Sequence, residues 1–476
     1  MRQLVWFRND LRTADHPALI QAMACGETIA CYCICVDQWR THDMGDRRLA
    51  FIQRTLTDLA GGLAKLNVPL KILITPHFEE IPEALVELAT ALAAKQVHIT
   101  DEYPIDERRR DQHCATALAH AGIALQRYTA DTVFAPGTVM TGAGKPYTVF
   151  SPFYKQWRGR LGTISTAQSA VPPSQAPSAV ASDPIPTAWG GVPAELEETL
   201  WPAGEAAAQR QLFRFLEDRI DDYGAARDIP SVQGTSGLST HLAVGAIAPA
   251  ACVRAALALQ ALDPHGGDSA EKWIAEIAWR DFYRHIVALF DHVNFGHAFK
   301  REYDRLRWRQ APDELAAWQR GETGYPLVDA GMRQLLATGW MHNRVRMVTA
   351  MFLTKHLLID WREGEKYFMQ QLVDGDFPSN NGGWQWSASV GTDAAPYFRI
   401  FNPATQGERF DAAGHYVRHW VPELSSVPDK QLFKTPATGS QPRLPTLPGM
   451  EQATYRHPMV DHKAARQRAL DFFKAD

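Results

Sequence analysis

The chain has 476 residues, of which 45% are hydrophobic, 21% charged and 10% aromatic, and its formal net charge is −4. This length predicts about two or three domains with large buried cores, and the composition is typical of a soluble globular protein, so a fibre, a peptide or a lone binding module is excluded. The negative charge argues against a nucleic-acid contact over the whole surface, so any such contact must be local.

The N-terminal stretch and the cysteines predict a cytoplasmic protein. Charged residues interrupt the first eleven positions, so no signal peptide is expected, and no apolar run approaches the roughly 18 residues of a membrane span. Cys31, Cys33 and Cys35 alternate, which in a strand places them on one face and cannot supply tetrahedral metal ligation. We expect reduced thiols in a core, no membrane partner and a monomer.

Residues 1–135 alternate short apolar runs with amphipathic stretches. The predicted strands are 3–7, 29–36, 69–75, 97–100 and 125–129, and the predicted helices are 47–67, 79–95 and 106–121. Such alternation indicates an α/β domain with a doubly wound parallel sheet. No GxGxxG pattern follows the first strand, so a nicotinamide dinucleotide site is not expected there.

A connection over 136–204 precedes a second domain over 205–476. From about 161 to 200, Pro, Ser, Ala and Thr accumulate, which favours an irregular or extended chain. Helical spacing then dominates at 205–221, 240–260, 271–290, 326–338, 342–358 and 363–372. Nine of the fourteen tryptophans follow residue 205, so the unusual chemistry is expected in this mostly α-helical domain.

A hydroxyl-rich loop precedes the predicted helix 240–260. Thr235, Ser236 and Ser239, with the N–H groups of a helix start, are suited to a phosphate or pyrophosphate. Taken alone, the pattern is more typical of a simple helix N-cap.

Two helical stretches combine polar with aromatic residues. Trp273, Glu276, Trp279 and Arg280 follow at i, i+3, i+6 and i+7, which places an acid between two indoles on one side of a helix; a core helix with a paired acid is the alternative. In 339–352, an amide, a thioether and arginines share an apolar helix, which indicates a pocket for a flat, partly polar ligand.

The segment 374–389 is the most unusual in the chain. It holds the carboxylates Asp374 and Asp376, the amides Asn380 and Asn381, the glycine pair at 382–383 and two tryptophans. A hard cation needs more oxygen ligands than this spacing supplies, so no metal is expected. We expect the carboxylates to fix arginines and polar ligand edges, while the glycines let the backbone approach a ring system.

Together these segments resemble the DNA photolyase and cryptochrome family, above all the bacterial class I enzymes that repair cyclobutane pyrimidine dimers. The resemblance covers nearly the whole chain. The matching segments, in the family's order, are LVWFRNDLR at 4–12, QGTSGLS at 233–239, EIAWRDFYRH at 276–285, TGWMHNRVRM at 338–347, DWREGEKYF at 360–368 and DGDFPSNNGGWQW at 374–386. It implies an antenna-binding N-terminal domain and a helical C-terminal domain that binds FAD.

The resemblance also implies site residues. The cofactor contacts would be Tyr223, Thr235, Ser236, Leu238, Ser239, Trp273, Arg280, Asn343, Arg346, Asp374, Asp376 and Asn380, with an Arg346–Asp374 ion pair and Asn380 near flavin N5. The flipped dimer would be held by Glu276, Trp279, Asn343, Met347 and Trp386, and the DNA strand by Arg227, Arg344, Arg399 and Gln406. A chain of indoles, Trp308, Trp361 and Trp384, would carry an electron from the surface to the flavin.

The implied activity is light-driven repair of pyrimidine dimers in DNA. Reduced FAD would pass one electron to a dimer extruded from the duplex, and the electron would return after the cyclobutane bonds break. The damaged bases stack weakly, so their extrusion costs little free energy. Glu276 would stabilise the radical anion by a hydrogen bond.

The identity of the antenna cofactor stays open, and the chain departs from the family pattern at two places. His42 and Glu107 resemble contacts to 5,10-methenyltetrahydrofolate, but a Cys–Lys pair expected there falls near Asn294 and Phe295, so a deazaflavin is the alternative and a chain without antenna a third possibility. Gly237 stands where related enzymes carry a basic residue.

Other functions fit the residues less well. A blue-light receptor of the cryptochrome type shares fold and flavin, but many have Asp or Cys at the position of Asn380. Repair of the (6-4) photoproduct is associated with a histidine pair where Asn343 and Met347 stand. A general flavin oxidoreductase would need a nicotinamide site, and a simple DNA-binding module would not need the tryptophan chain.

Overall fold

The structure is a computed structural model, and it describes residues 1–163, 171–187, 189, 198–262, 267–434 and 455–474. The chain divides into two compact units, each made of several segments. The first unit comprises Met1–Gly224, Ser236–Asn294 and Val373–Ser379; the second comprises Ala225–Thr235, Phe295–Leu372 and Asn380–Asp476.

The first unit contains a five-stranded parallel sheet. Its strands are β1 (Arg2–Phe7), β2 (Glu27–Ile34), β3 (Leu70–Ile74), β4 (Ala94–Thr100) and β5 (Ala124–Tyr128). The order β3-β2-β1-β4-β5 and the all-parallel pairing confirm the predicted doubly wound sheet. In the register, Leu4 of β1 lies between Ile29 of β2 and Val97 of β4.

Helices connect these strands and continue beyond them. They are α1 (Pro17–Cys25), α2 (Val36–Thr41), α3 (Asp46–Lys65), α4 (Ile81–Ala91), α5 (Ile105–His120), α6 (Phe150–Gly159), α7 (Glu205–Asp218), α8 (Tyr223–Ala226, which ends in the second unit), α9 (Ser239–Ala243), α10 (Pro249–Leu262) and α11 (Gly267–Leu289). Helices α3, α4, α5, α7 and α11 coincide with predicted helices, because apolar periodicity marks helices that bury one face. No helix was predicted at α1, α2, α6 or α8.

One core of the first unit lies between the sheet and two helices. Alternate residues of the strands, such as Leu4 and Trp6, pack there against Leu85 of α4 and Leu118 of α5. Cys31, Cys33 and Cys35 belong to the same core, so the predicted one-sided row of buried thiols is confirmed. Burial raises the pKa of these thiols, which makes them poor nucleophiles.

An extended part of the predicted connection covers the free edge of β3. Asp183 accepts a hydrogen bond from the backbone N–H of Ile72 at 3.0 Å and donates its own N–H to the carbonyl of Leu70 at 2.8 Å. Lys71 forms an ion pair with the same carboxylate. These contacts satisfy backbone hydrogen-bonding groups of an edge strand that could otherwise pair with another chain.

The second unit is helical in its described residues. Its helices are α12 (Pro312–Gln319), α13 (Pro326–Thr338), α14 (Asn343–Met351), α15 (Trp361–Gln371), α16 (Phe377–Ala388, whose first three residues belong to the first unit), α17 (Pro403–Phe410), α18 (His415–Trp420), α19 (Asp429–Leu432) and α20 (His462–Lys474). A π-helical turn, Phe352–His356, follows α14. None of the helices in the described ranges is long and apolar enough to cross a membrane.

Two predicted helices differ from the structure, and one segment without a predicted element forms a helix. The helix predicted over 240–260 is two helices, because Gly245 turns at φ +66° against the backbone of Asn9 and α10 restarts at Pro249. The helix predicted over 342–358 changes to π-helical geometry after Met351. The segment 374–389, for which no element was predicted, forms α16 despite its two glycines.

Candidate functional site

In the first unit, two arginines of α11 bind a pair of carboxylates. Arg284 donates to Asp376 at 2.8 and 3.1 Å and also to Asp131, and Arg280 pairs with Asp131. Burial alone would raise the pKa of Asp376, but the two arginines and the Ser379 hydroxyl, 2.6 Å away, hold it well below its usual range. Predicted flavin-pocket residues Arg280 and Asp376 are therefore joined through Arg284 and Asp131, which sequence reasoning missed.

The two tryptophans of the same helix differ in their surroundings. Trp273 is buried, with its ring centroid 4.9 Å from that of Phe215. Trp279 is half-buried and lies flat on Phe150 of α6, with centroids 3.7 Å apart and an interplanar angle of 9°. Phe150 thus covers one face of Trp279. Glu276, between them in sequence, is also half-buried, as its position between two indoles predicted.

The hydroxyl-rich loop contains a turn that requires glycine. Gly237 has φ +67°, and a Cβ there would lie 2.9 Å from the side-chain nitrogen of Gln211. That nitrogen donates to the carbonyl of Ser236 at 2.6 Å, and the Ser236 hydroxyl accepts from the N–H of Leu238 at 3.4 Å. Ser239 is exposed and begins α9. The conformation gives a physical reason for the departure at Gly237.

Other predicted cofactor residues of the first unit are buried. Tyr223 is 5% exposed and meets Phe215 edge to face, with centroids 5.7 Å apart. Asp374 is 6% exposed. Its predicted pairing with Arg346 joins residues of different units and stays a prediction.

In the second unit, α14 begins with an arrangement of caps and cations. The Nδ1 of His342 accepts from the backbone N–H of Arg344, and burial lowers the pKa of His342 to about 4, so this ring is a neutral N-cap. Arg344 donates to Asp228 at 2.9 Å and lies over the Phe410 ring.

The remaining predicted residues of α14 offer polar and soft groups. Arg346 donates from Nε to the carbonyl of Met341 at 2.7 Å. Asn343 is exposed and Met347 is half-buried. An exposed amide beside a thioether is the combination predicted for a flat, partly polar ligand.

Helix α16 holds its amides in defined orientations. Asn380 donates from Nδ2 to the carbonyl of Glu365 at 2.9 Å, and Asn381 donates to the carboxylate of the same residue at 2.9 Å. The Oδ1 of Asn380 makes no hydrogen bond within the described ranges, so it can accept one from a ligand. Trp386 is half-buried on the same helix.

Two of the three predicted electron-transfer tryptophans belong to the core of the second unit, and the third packs against that core. Trp361 and Trp384 are 1% and 3% exposed, whereas Trp308 is half-buried at the edge of that core. Along the predicted series of indoles, Trp384 and Trp361 are therefore buried and Trp308 is the most exposed. Sequence reasoning missed Trp318, a fully buried indole whose ring centroid is 6.1 Å from that of Trp384.

The predicted DNA contacts of the second unit include exposed and buried groups. Arg399 is exposed, while Arg227 and Gln406 are half-buried. The Oε1 of Gln406 is buried without a hydrogen-bond partner in the described part of the chain. Such an atom is costly unless a ligand or water donates to it.

The predicted antenna residues are neighbours in the first unit. His42 lies with Nε2 3.2 Å from Asp106 and Nδ1 3.8 Å from Glu107. Burial raises the pKa of Glu107, and His42 opposes that rise. Asn294 accepts from the N–H of Ile105 at 3.1 Å, so this departure from the family pattern lies at the start of the helix that carries Glu107.

Comparison with known proteins assigns a family to this site. A family model described as DNA photolyase matches residues 3–177, and one described as the FAD binding domain of DNA photolyase matches residues 273–475. Fold and site thus define a flavoprotein with a parallel α/β unit, and FAD is its cofactor. The chain belongs to the DNA photolyase family.

Individual relatives agree with this family over the full length. The deoxyribodipyrimidine photo-lyase of Escherichia coli is 41% identical over 99% of this chain and 98% of its own. A class III photolyase structure from Agrobacterium tumefaciens has a TM-score of 0.87 at 33% identity, covering 100% of this chain and 97% of that chain. A Synechocystis cryptochrome has a TM-score of 0.83 at 27% identity, covering 99% of each chain.

Proposed function

We propose that this protein is a deoxyribodipyrimidine photo-lyase that uses light to split cyclobutane pyrimidine dimers in DNA. The observation that carries the proposal is the 41% identity to an enzyme of that name over 99% of this chain. The proposal is supported by the tryptophans and amides of the family pattern, which all fall within the described residues. Binding alone does not account for indoles that pass from a half-buried to a fully buried position within the FAD-binding domain.

The residues present fit FAD. In the first unit, the glycine turn at Gly237 and the exposed hydroxyl of Ser239 suit a phosphate, and the Arg280–Asp131 and Arg284–Asp376 pairs provide fixed polar groups. In the second unit, the free Oδ1 of Asn380 and the exposed amide of Asn343 are available to a ring system. FAD in its reduced form supplies one electron under near-UV or blue light.

Other cofactor contacts follow the family pattern. Tyr223, Thr235, Ser236, Leu238, Trp273, Arg346 and Asp374 complete the proposed set. Trp273 and Tyr223 both pack on Phe215, so they form a rigid aromatic wall in the first unit.

The dimer is proposed to contact one acid, one amide and several apolar groups. Because Phe150 covers one face of Trp279, this indole has a single face for stacking on a base. Trp386, Met347 and Asn343 supply a ring, a thioether and an amide. In its protonated form, Glu276 donates a hydrogen bond to a carbonyl oxygen of the dimer, where negative charge develops.

The indoles of the second unit are proposed to conduct an electron inwards. Trp308 is the most exposed of the three, Trp361 is nearly inaccessible, and Trp384 is buried against Phe368, with centroids 4.9 Å apart. This route restores the reduced cofactor and takes no part in repair by enzyme that is already reduced.

DNA is proposed to be held through its phosphates, without reading of sequence. Arg227, Arg344 and Arg399 are the cations, and Gln406 offers an unpaired buried oxygen. Arg344 is already paired with Asp228, so it must exchange that carboxylate for a phosphate. The protein is proposed to act as a monomer in the cytoplasm, where its six cysteines remain thiols.

A folate antenna is proposed at His42 and Glu107. The support is the pairing of a histidine with two acids on α5 at 3.2 and 3.8 Å, which offers both donors and acceptors to a pterin ring. Extracted chromophore with deazaflavin absorption would replace folate by a deazaflavin, and the lack of any chromophore besides FAD would indicate a protein without an antenna.

The test is photochemical. Purified protein with reduced FAD is illuminated with an oligonucleotide that contains a thymine dimer, and absorbance at 260 nm is followed as the pyrimidine double bonds return. Recovery that requires both light and reduced FAD is expected. A protein that binds FAD and undergoes photoreduction but leaves the dimer intact would instead be a cryptochrome-type light receptor, and the proposal would be wrong.

A further inference from the structure

A fully buried lysine lies in an unusual backbone turn of the second unit. Lys355 is 0% exposed, although lysine is almost never fully buried without a partner. It belongs to the π-helical turn Phe352–His356, and π-helical turns are rare and frequently occur at functional sites. Neither the proposed chemistry nor the sequence motifs account for it.

The amino group of Lys355 contacts the end of α16. Nζ donates to the carbonyl of Ala388 at 3.1 Å and to the hydroxyl of Ser389 at 2.8 Å, and it lies 3.6 Å from the centroid of the Phe473 ring. No carboxylate pairs with it within the described residues. Burial lowers the pKa of Lys355 well below its usual range.

The end of α16 has a conformation that a serine rarely adopts. Ser389 has φ +70°, a left-handed conformation that costs free energy for any residue with a Cβ. Its N–H donates to the carbonyl of Trp386 at 3.2 Å, and the N–H groups of Val390 and Gly391 both donate to the carbonyl of Gln385. Lys355 binds the carbonyl of Ala388, the last residue of α16, so it stabilises a strained helix end from outside the helix.

This helix end lies directly after two indoles of the proposed site. Trp384 and Trp386 stand four and two residues before Ala388, so a shift of the last turn moves both rings. The Phe473 ring, against which the Lys355 amino group packs, also lies 6.1 Å from Trp308. Lys355 thus links the helix that carries Trp384 to the aromatic packing around Trp308.

We propose that Lys355 is a positioning residue that holds the C-terminal turn of α16 and thereby sets the indoles of Trp384 and Trp386. The inference rests on the proposed function, because the positions of these rings matter only if one conducts electrons and the other contacts a dimer. Small displacements of such groups have large effects on rate, since a misplacement of about 1 Å can cost roughly a hundredfold.

The test is Lys355→Met in the full chain with FAD, because Met has a similar volume and lacks the donor. We expect FAD to stay bound, while photoreduction of oxidised FAD and affinity for dimer-containing DNA each fall by about tenfold. Lys430→Met, an exposed lysine on α19, is the matched control and should leave both unchanged. Wild-type values for both measurements in Lys355→Met would overturn the inference.

A second substitution separates positioning from simple packing. Ser389→Gly removes the cost of the left-handed conformation, so Lys355→Met/Ser389→Gly should regain most of the lost photoreduction and DNA affinity. If Lys355 only fills space, glycine at 389 will not restore either, and that result would overturn the proposal.

Two further outcomes are informative. If Lys355→Met does not fold, Ser389→Ala, which removes the hydroxyl but keeps the strain, should lower photoreduction more than Ser389→Gly does; equal values would contradict the proposal. If the wild-type protein itself repairs no dimers, the proposed function fails, whereas a repairing wild type with an unaffected Lys355→Met variant refutes this inference alone.

Discussion

At the scale of single residues, buried ion pairs explain how a polar site can be stable inside this protein. Arg284 is 4% exposed, and it donates to both Asp131 and Asp376. Removing one member of a buried pair leaves an uncompensated charge, which costs more than the pair itself contributes. We therefore predict that the stability of the protein depends on these carboxylates being ionised.

Asp376→Asn should lower the free energy of unfolding at pH 7 by about 3 kcal/mol, because Arg284 then keeps a single carboxylate. The pKa of Asp376 is depressed in the folded protein, so its contribution is present above the unfolded pKa of about 4 and is lost as pH falls towards the folded pKa. Urea unfolding of wild type and variant at several pH values from about 7 down to about 2 measures the difference in free energy of unfolding, which should stay constant to about pH 5 and narrow below about pH 4.

Asp313→Asn provides the control for this prediction. Asp313 is exposed on α12 and makes no ion pair within the described residues, so its replacement should change the free energy of unfolding by less than about 0.5 kcal/mol. A loss at pH 7 no larger for Asp376→Asn than for Asp313→Asn would show that the buried pair does not stabilise the fold.

At the scale of secondary-structure elements, the close approach of α15 and α16 places Trp384. A Cβ on Gly364 of α15 would overlap the ring of Trp384 and lie 2.7 Å from Leu353. Glycine is therefore needed at 364 because of the neighbouring helix, even though it weakens α15 itself. The contact is specific to the indole that the resemblance places next to the flavin.

Gly364→Ala should displace Trp384 and slow the photoreduction of oxidised FAD, with a loss of about 1–3 kcal/mol in the free energy of unfolding from overpacking. Repair by enzyme that is already reduced should change little, since the tryptophan chain is not used in that reaction. Thermal unfolding and photoreduction under constant illumination are the measurements.

Gly61→Ala is the matched glycine substitution. A Cβ at Gly61 of α3 would meet no atom within 4 Å, so this change should stabilise the protein by about 0.5–1 kcal/mol and leave photoreduction unchanged. If Gly364→Ala behaves like Gly61→Ala, the position of Trp384 is not set by its contact with α15.

At the scale of the whole molecule, the net charge of −4 means that DNA binding depends on a few local cations. Three arginines are proposed to contact phosphates, and each such contact releases counterions. The affinity for dimer-containing duplex should therefore fall with salt, with a slope of log K against log salt of roughly −2 to −3.

Arg399→Ala should make that slope less negative by about 1 and weaken binding to all sequences alike. Arg307→Ala removes a similarly exposed arginine that is not assigned to DNA and should leave the slope unchanged. Filter-binding or fluorescence titrations at several salt concentrations give the slopes, and equal slopes for wild type and Arg399→Ala would remove Arg399 from the proposed DNA contacts.

The sequence by itself determined the parallel sheet and about half of the helices in the described residues. Period-two rows such as Cys31, Cys33 and Cys35, and amphipathic helices between apolar strands, are local patterns that record which face is buried. The family and its FAD-binding domain were also predictable, because they depend on residue types in a fixed order.

Only the tertiary structure decided where these patterns break. The helix break at Gly245 depends on the backbone of Asn9, more than 200 residues away, and the helical state of α16 is stabilised at its end by Lys355 of another element. Likewise, Arg284 and Trp318 are ordinary residues in sequence, and only the structure shows that they contact two residues of the proposed site, Asp376 and Trp384. Such contacts join distant residues, and the energy of a distant contact leaves no periodic signal in the local sequence.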